Sequence, residues 1–261
     1  MVTRERARVA TEGWGARLLT EQSPDGNWGG GVYTPKWTST TYTLLHLLWL
    51  GLPAGHPAAL RGCGRLWEWA DRRRVSETCI VSMFARVSCA FGFRTPRVTE
   101  AIDFLLAEQQ HDGGWNCASR GDRTKHSSFH TSVMALEALA AADQADALAS
   151  QRGREFFLNH RLFRAHRTGE IAIRASTRFP AFPEWHFDVL RGLELFAATA
   201  TPGDERLTDA IDLIQAARRA DGRWPRYQQY PGPQWFALEP PGPSRWTTTR
   251  ALHILTWWAN G

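Results

Sequence analysis

Three stretches of the chain repeat one hydrophobic pattern. In Trp14 to Gly30, Ala101 to Cys117 and Ala210 to Arg226, apolar residues recur three and four positions apart, the period of a helix with one buried face. Each stretch then reaches an Asp-Gly pair followed by tryptophan: Asp25-Gly26 with Trp28, Asp112-Gly113 with Trp115, and Asp221-Gly222 with Trp224. The pattern predicts an amphipathic helix whose glycine takes the left-handed conformation that stops it, with the tryptophan folding back over the helix end.

Downstream of each turn lies a segment that begins in Thr and Ser and continues as a more apolar helix, from Thr38, Phe129 and Arg245. The hydroxyls are expected to serve as N-caps. The spacing of the turns leaves room for one further hairpin in each gap, and the runs from Glu77 (ETCIVSMFARVSCAFGF) and Glu184 (EWHFDVLRGLELFAA) fill those places. Inner helices are therefore expected to start near residues 39, 78, 130, 186 and 246, each preceded by an outer helix. The expected fold is all-α, an (α/α) toroid of about five to six helical hairpins in a single domain over 1–261. A closed ring is preferred to an open solenoid because Trp49 and the Trp257-Trp258 pair give both end units apolar inner helices with no polar capping face.

Charge and composition narrow the function classes. The net charge of +5 is carried mostly by scattered arginines, as in Arg72-Arg73-Arg74 and Arg218-Arg219, which favours a basic pocket over nucleic-acid binding. The sequence contains neither a signal-peptide core nor an apolar run of membrane-spanning length, so the expected location is cytoplasmic, with a homodimer as a possible assembly. Cys63, Cys79, Cys89 and Cys117 form no CxxC pair and read as reduced thiols. Thirteen tryptophans either brace a repeat architecture or line an apolar cavity.

The motif Gln-x2-Asp-Gly-x-Trp, intact from Gln22 to Trp28 and from Gln109 to Trp115, resembles the QW motif of squalene-hopene and oxidosqualene cyclases; Arg218 takes the glutamine's place in the third copy. That resemblance implies helical barrels and, for class II cyclases, an Asp-x-Asp-Asp acid, a string this sequence does not contain. A second resemblance covers roughly Arg72 to Leu139. Farnesyl- and geranylgeranyltransferase β subunits hold zinc with an Asp-x-Cys at the start of one inner helix and the His of a Tyr-His-Thr at the start of another. Here Glu77-Thr78-Cys79 and Phe129-His130-Thr131 stand in similar places, with GGWNCASRGDRTKHSSFHT between them similar to the family's Gly-Gly turn and charged loop. The resemblance implies Glu77, Cys79 and His130 as ligands of zinc or another divalent transition metal, and Arg72 to Arg74 near the family's diphosphate contacts.

That donor set suits zinc, which accepts thiolate, imidazole and carboxylate and keeps one position open in catalytic sites. The alternative for Cys79 is a small buried hydrophobe. Cys117 and His126 are further ligand candidates. His186 and Asp188, at the fourth inner helix, are candidate catalytic acid/base residues, with a helix-cap role as the alternative for Asp188. Trp37, Trp185, Arg245 and Trp246, with Arg74, are the expected substrate-binding residues around an aromatic cavity, the alternative for the tryptophans being bracing of the ring. The loop from His160 to Glu170 is either an anion-binding segment or a solvated connector. Three functions follow as expectations: a zinc-dependent enzyme on an apolar, isoprenoid-type substrate; a metal-free cyclase using a lone carboxylate; or a non-catalytic lipid- or protein-binding toroid.

Overall fold

A computed structural model describes residues 2–117, 126–199 and 203–260. Among these the protein is mostly helical, with a single short antiparallel pair of strands. Residues 118–125 of the charged loop compared above lie outside the described residues. The chain divides into two compact units: Met1–Glu108 with Glu137–Gln144 and Pro231–Leu238, and Gln109–Leu136 with Ala145–Tyr230 and Glu239–Gly261.

The first unit contains α1 (Val2–Arg8), α2 (Gly13–Thr20), α3 (Thr40–Leu50), α4 (Pro57–Arg73), α5 (Thr78–Phe91) and α6 (Pro96–Ala107). Two kinds of helix alternate. In α4 only one stripe is buried, through Ala59, Cys63, Leu66 and Ala70 at helical spacing, whereas α3 is buried from Thr40 to Leu47 on every side. The α5 helix is likewise buried along most of its length, with Phe84 and Phe91 fully enclosed. Gly51 and Gly92, at φ 86° and 78°, end α3 and α5 in the left-handed conformation that a side chain would oppose.

The α7 helix (Phe129–Ala141) starts in the second unit, which also holds α8 (Leu148–Asn159), α9 (Val189–Ala198), α10 (Thr208–Ala216), the strands β1 (Trp224–Pro225) and β2 (Pro243–Ser244), and α11 (Arg245–Asn260). The α9 helix is buried on nearly all faces, while α8 buries one face through Ser150, Gly153, Phe156 and Phe157. The α11 helix departs from expectation: only Thr247, Ala251 and Ile254 are buried, and Trp257 and Trp258 are half-buried. Those two rings pack on each other at 6.0 Å instead of filling an inner face.

The Asp-Gly-x-Trp turns share one hydrogen-bond scheme. Trp28 donates its indole N–H to the Leu18 carbonyl at 2.7 Å, and Trp224 does the same to Ile214 at 2.8 Å. All three tryptophans are fully buried. Their backbone N–H groups donate to a hydroxyl on the next helix: Thr40 Oγ1 at 3.0 Å, Ser132 Oγ at 2.9 Å and Thr248 Oγ1 at 3.0 Å. The hydroxyls expected as N-caps thus mostly serve the turn; Ser39 makes no cap bond. Ser128 and Ser244 do take cap positions, accepting from the Thr131 N–H at 3.5 Å and the Thr247 N–H at 2.9 Å. Gln22 donates to the carbonyls of Gly26 and Ala58, and Gln109 to those of Gly113 and Ala149. Arg218 supplies the equivalent bond to Gly222 at 3.0 Å through Nε.

Candidate functional site

In the first unit, the C-terminal end of α4 and the loop before α5 open on a cleft of about 770 Å³. Its basic wall is Arg65, Arg72, Arg73 and Arg74; its apolar wall is Tyr33, Trp69 and Ile80. The sequence builds this edge simply. The α4 helix closes on Arg74, whose φ of 51° puts a non-glycine residue in the left-handed region, and the Arg74 N–H donates to Asp71 O at 3.2 Å. The turn leaves three consecutive arginines exposed at a helix C-terminus, where the dipole favours cations. The Arg73 guanidinium lies 5.3 Å from the Trp69 ring centre, and the Tyr33 ring stacks on Trp69 at 6.2 Å. Arg65 pairs with Glu68, and its Nε is buried with no hydrogen-bond acceptor. A buried guanidinium N–H without an acceptor is costly.

Glu77 lines the same cleft as Arg74 and is exposed, its carboxylate accepting from the Ser76 N–H at 3.2 Å. Cys79 is half-buried in the first turn of α5. His130 is in the second unit, where its Nδ1 accepts the Phe187 N–H at 2.8 Å, leaving Nε2 as its remaining ring nitrogen. Among the described residues no three His, Cys, Asp or Glu side chains are grouped as metal ligands. A zinc centre at Glu77, Cys79 and His130 therefore rests on the sequence resemblance alone. Cys117 lies 3.6 Å from Thr131 Oγ1.

In the second unit the structure brings His130, Trp185, His186, Asp188 and Tyr230 together. His186 is stacked between two rings, Trp185 at 3.8 Å and Tyr230 at 3.6 Å, and His130 meets Trp185 edge-on at 5.1 Å. The run from Glu184 was expected to be helical, but it forms a turn with Glu184 at φ 54°, and α9 begins only at Val189. Asp188 is the N-cap: its Oδ1 accepts the Arg191 N–H at 2.8 Å. That bond is the cap role weighed from the sequence. Arg191 is buried and ties the turn down, donating from Nη1 to the carbonyls of Glu184 and His186 at 3.0 and 2.7 Å.

Asp188 Oδ2 is buried and has no hydrogen-bond partner. Burial pushes the Asp188 carboxyl up to about 6, against the opposing pull of Arg250 and the Arg191 backbone N–H. Burial, aided by the Arg191 charge, holds His130 down at about 4, so its imidazole is neutral at physiological pH. Tyr230 is pushed well above the ordinary phenol range by burial and by the nearby Asp188 carboxylate. The cluster thus holds a carboxyl that stays protonated into mildly acidic pH beside stacked aromatic rings.

The other expected substrate contacts are placed as follows. Trp37 is buried against Tyr42, ring centres 4.8 Å apart and edge-on, and its indole N–H donates to the Pro231 carbonyl at 3.1 Å. Trp246 packs edge-on against Phe182 at 5.5 Å, and its backbone N–H donates to Glu239 at 2.9 Å. Arg245 is exposed. Sequence reasoning missed Arg65, Tyr33 and Trp69 in the cleft and Tyr230 in the acid cluster. Arg65 and Trp69 share an α4 face with Arg72 and Arg73 by helical spacing, the one signal that could have found them. No protein-family model matches the chain, and no curated protein matches it by sequence. No helix among the described residues is long and apolar enough to cross a membrane.

Proposed function

We propose that this protein binds an apolar, isoprenoid-type substrate carrying a diphosphate-type head, with the head held by Arg65, Arg72, Arg73 and Arg74 and the apolar chain laid against Tyr33, Trp69 and Ile80. The observation that carries the reading is the cleft itself, which four arginines line together with an aromatic and aliphatic wall, beside the single carboxylate of Glu77. Guanidinium geometry matches phosphate oxygens in pairs, and the Trp69 face steadies Arg73 without neutralising it. The alternation of one-face and all-face buried helices supports the α/α toroid expected from the sequence. Because Arg73 and Arg74 are exposed, each contact to a diphosphate should contribute about 1 kcal/mol, so Arg73→Ala with Arg74→Ala should weaken binding of a prenyl diphosphate by roughly tenfold or more by titration calorimetry. Unchanged affinity in the double variant would remove the assignment.

A second reading is favoured by Asp188. A buried carboxyl whose Oδ2 makes no hydrogen bond, protonated up to about pH 6, is the kind of group a metal-free cyclase uses to protonate an alkene. Turnover of an isoprenoid substrate that survives chelation and disappears in Asp188→Asn, with the fold intact, is the expected signature; turnover unaffected by that change would refute it.

A further inference from the structure

The second unit carries another basic recess, built by the loop that follows α8. A pocket of about 300 Å³ is lined by Asn159, His160, Arg161, Arg164, His166 and Asp209. We propose that this pocket binds the phosphate group of a small phosphorylated molecule.

The groups are held in place from several directions. The α8 helix ends with Arg161 and Leu162 at φ 43° and 70°, and the Leu162 N–H donates to the Phe157 carbonyl at 2.8 Å, closing the helix. Leu162 is fully buried, which pins the turn and leaves Arg161 at the pocket rim with its side chain about 61% exposed. Arg164 is fixed by Asp209 Oδ2 at 2.6 Å through Nε and by the Gly169 carbonyl at 2.9 Å through Nη1. These bonds use two of the five N–H donors a guanidinium has. Arg161 Nη1 stands 3.8 Å from the same Asp209 oxygen, too far for a hydrogen bond. One carboxylate thus faces two guanidiniums, and the recess keeps positive charge.

The imidazoles complete the recess. His160 has Nδ1 2.7 Å from the Phe156 carbonyl, which sets Nδ1–H as the donor and leaves Nε2 for another partner. Its ring is wedged by Phe156 at 4.5 Å and Phe129 at 5.2 Å, and His166 lies 5.9 Å away. Guanidinium donors of this kind suit a tetrahedral oxyanion, whose oxygens accept their N–H groups, while Nε2 of His160, an acceptor in this tautomer, can take the O–H of a hydrogen phosphate. At about 30 Å³ per water the recess has the room of roughly ten waters, more than a bare phosphate fills, so an organic remainder fits beside it.

The test uses the full chain in an Arg73→Ala, Arg74→Ala background, which weakens the cleft of the first unit. Inorganic phosphate and glycerol phosphate are titrated separately at constant ionic strength, and the imidazole nitrogen resonances of His160 and His166 are followed by NMR. Saturable shifts of both residues are expected at millimolar ligand. Tighter binding of the ester identifies a phosphorylated metabolite as the natural occupant, and equal binding identifies free phosphate. Arg161→Gln and His166→Ala, both at exposed side chains, should each weaken binding roughly fivefold to tenfold. Absence of saturable shifts, or affinity unchanged in both variants, would overturn the proposal.

Discussion

The Asp188 carboxyl is enclosed on every side, with one oxygen capping α9 and the other without a hydrogen-bond partner. Its folded-state value of about 6 exceeds the ordinary carboxylate value of 3.8, so the protonated form is favoured by folding. The stability this gives is complete below the unfolded value and is lost as pH rises through about 6. An asparagine keeps the N-cap acceptor and carries no charge. Asp188→Asn should therefore be more stable than the parent at pH 8, on the order of 2–3 kcal/mol, with the advantage gone near pH 4. Urea unfolding at both pH values measures it, and a difference that does not change with pH would show that the carboxyl is solvated. His130 pulls the other way. Held neutral to about 4, it contributes stability above the ordinary histidine range that is lost as pH falls towards that value. The two opposing slopes overlap in the acid range, so the parent's profile alone does not separate them. At this scale the sequence already marked Asp188, His186 and Trp185, because an acidic residue ahead of an apolar helix is visible in a string. Tyr230 was not legible, since only folding lays its ring on His186.

The helix hairpins owe their register to the buried tryptophans. Gly62 and Gly153, on α4 and α8, leave room for the rings of Trp28 and Trp115: a Cβ would stand 2.8 Å from the far edge of each ring. Gly64, two positions along α4 from Gly62, has nothing within 4 Å of such a Cβ. Replacing glycine by alanine in a helix gains about 1 kcal/mol in propensity, and overpacking a rigid ring costs about 1–3 kcal/mol. Gly64→Ala should accordingly stabilise the protein and Gly62→Ala destabilise it, read as opposite shifts of the unfolding midpoint. Shifts of the same sign would mean that the Trp28 ring does not fix the hairpin. Most of this layer was legible, because the Asp-Gly turns set the phase and four of the five expected helices, those near residues 39, 78, 130 and 246, begin at Thr40, Thr78, Phe129 and Arg245. The exceptions have local causes. The fourth starts late because the carbonyls of Glu184 and His186 are bound by Arg191 and not by a helix. Several of the Ser and Thr hydroxyls lie within the first turns of their helices, where they accept the tryptophan N–H groups of the turns instead of capping.

For the whole molecule, arginine is the common thread: four arginines gather at the cleft of the first unit and two at the pocket beside Asp209 in the second. Scattered arginines in a sequence do not reveal such gathering, which depends on where a helix ends. The zinc expectation drew on residues at matching helix starts, Cys79 and His130, which fall in different units. The diphosphate reading depends on the arginine cleft and on no metal ligand, so binding there should persist in chelator. Its most direct measurement is a comparison of a prenyl diphosphate with the corresponding prenyl alcohol, by calorimetry at low and high salt. The account predicts that the diphosphate binds at least tenfold more tightly, that salt narrows the gap, and that Trp69→Ala weakens both ligands. Equal affinity for the alcohol and the diphosphate at low salt would contradict it.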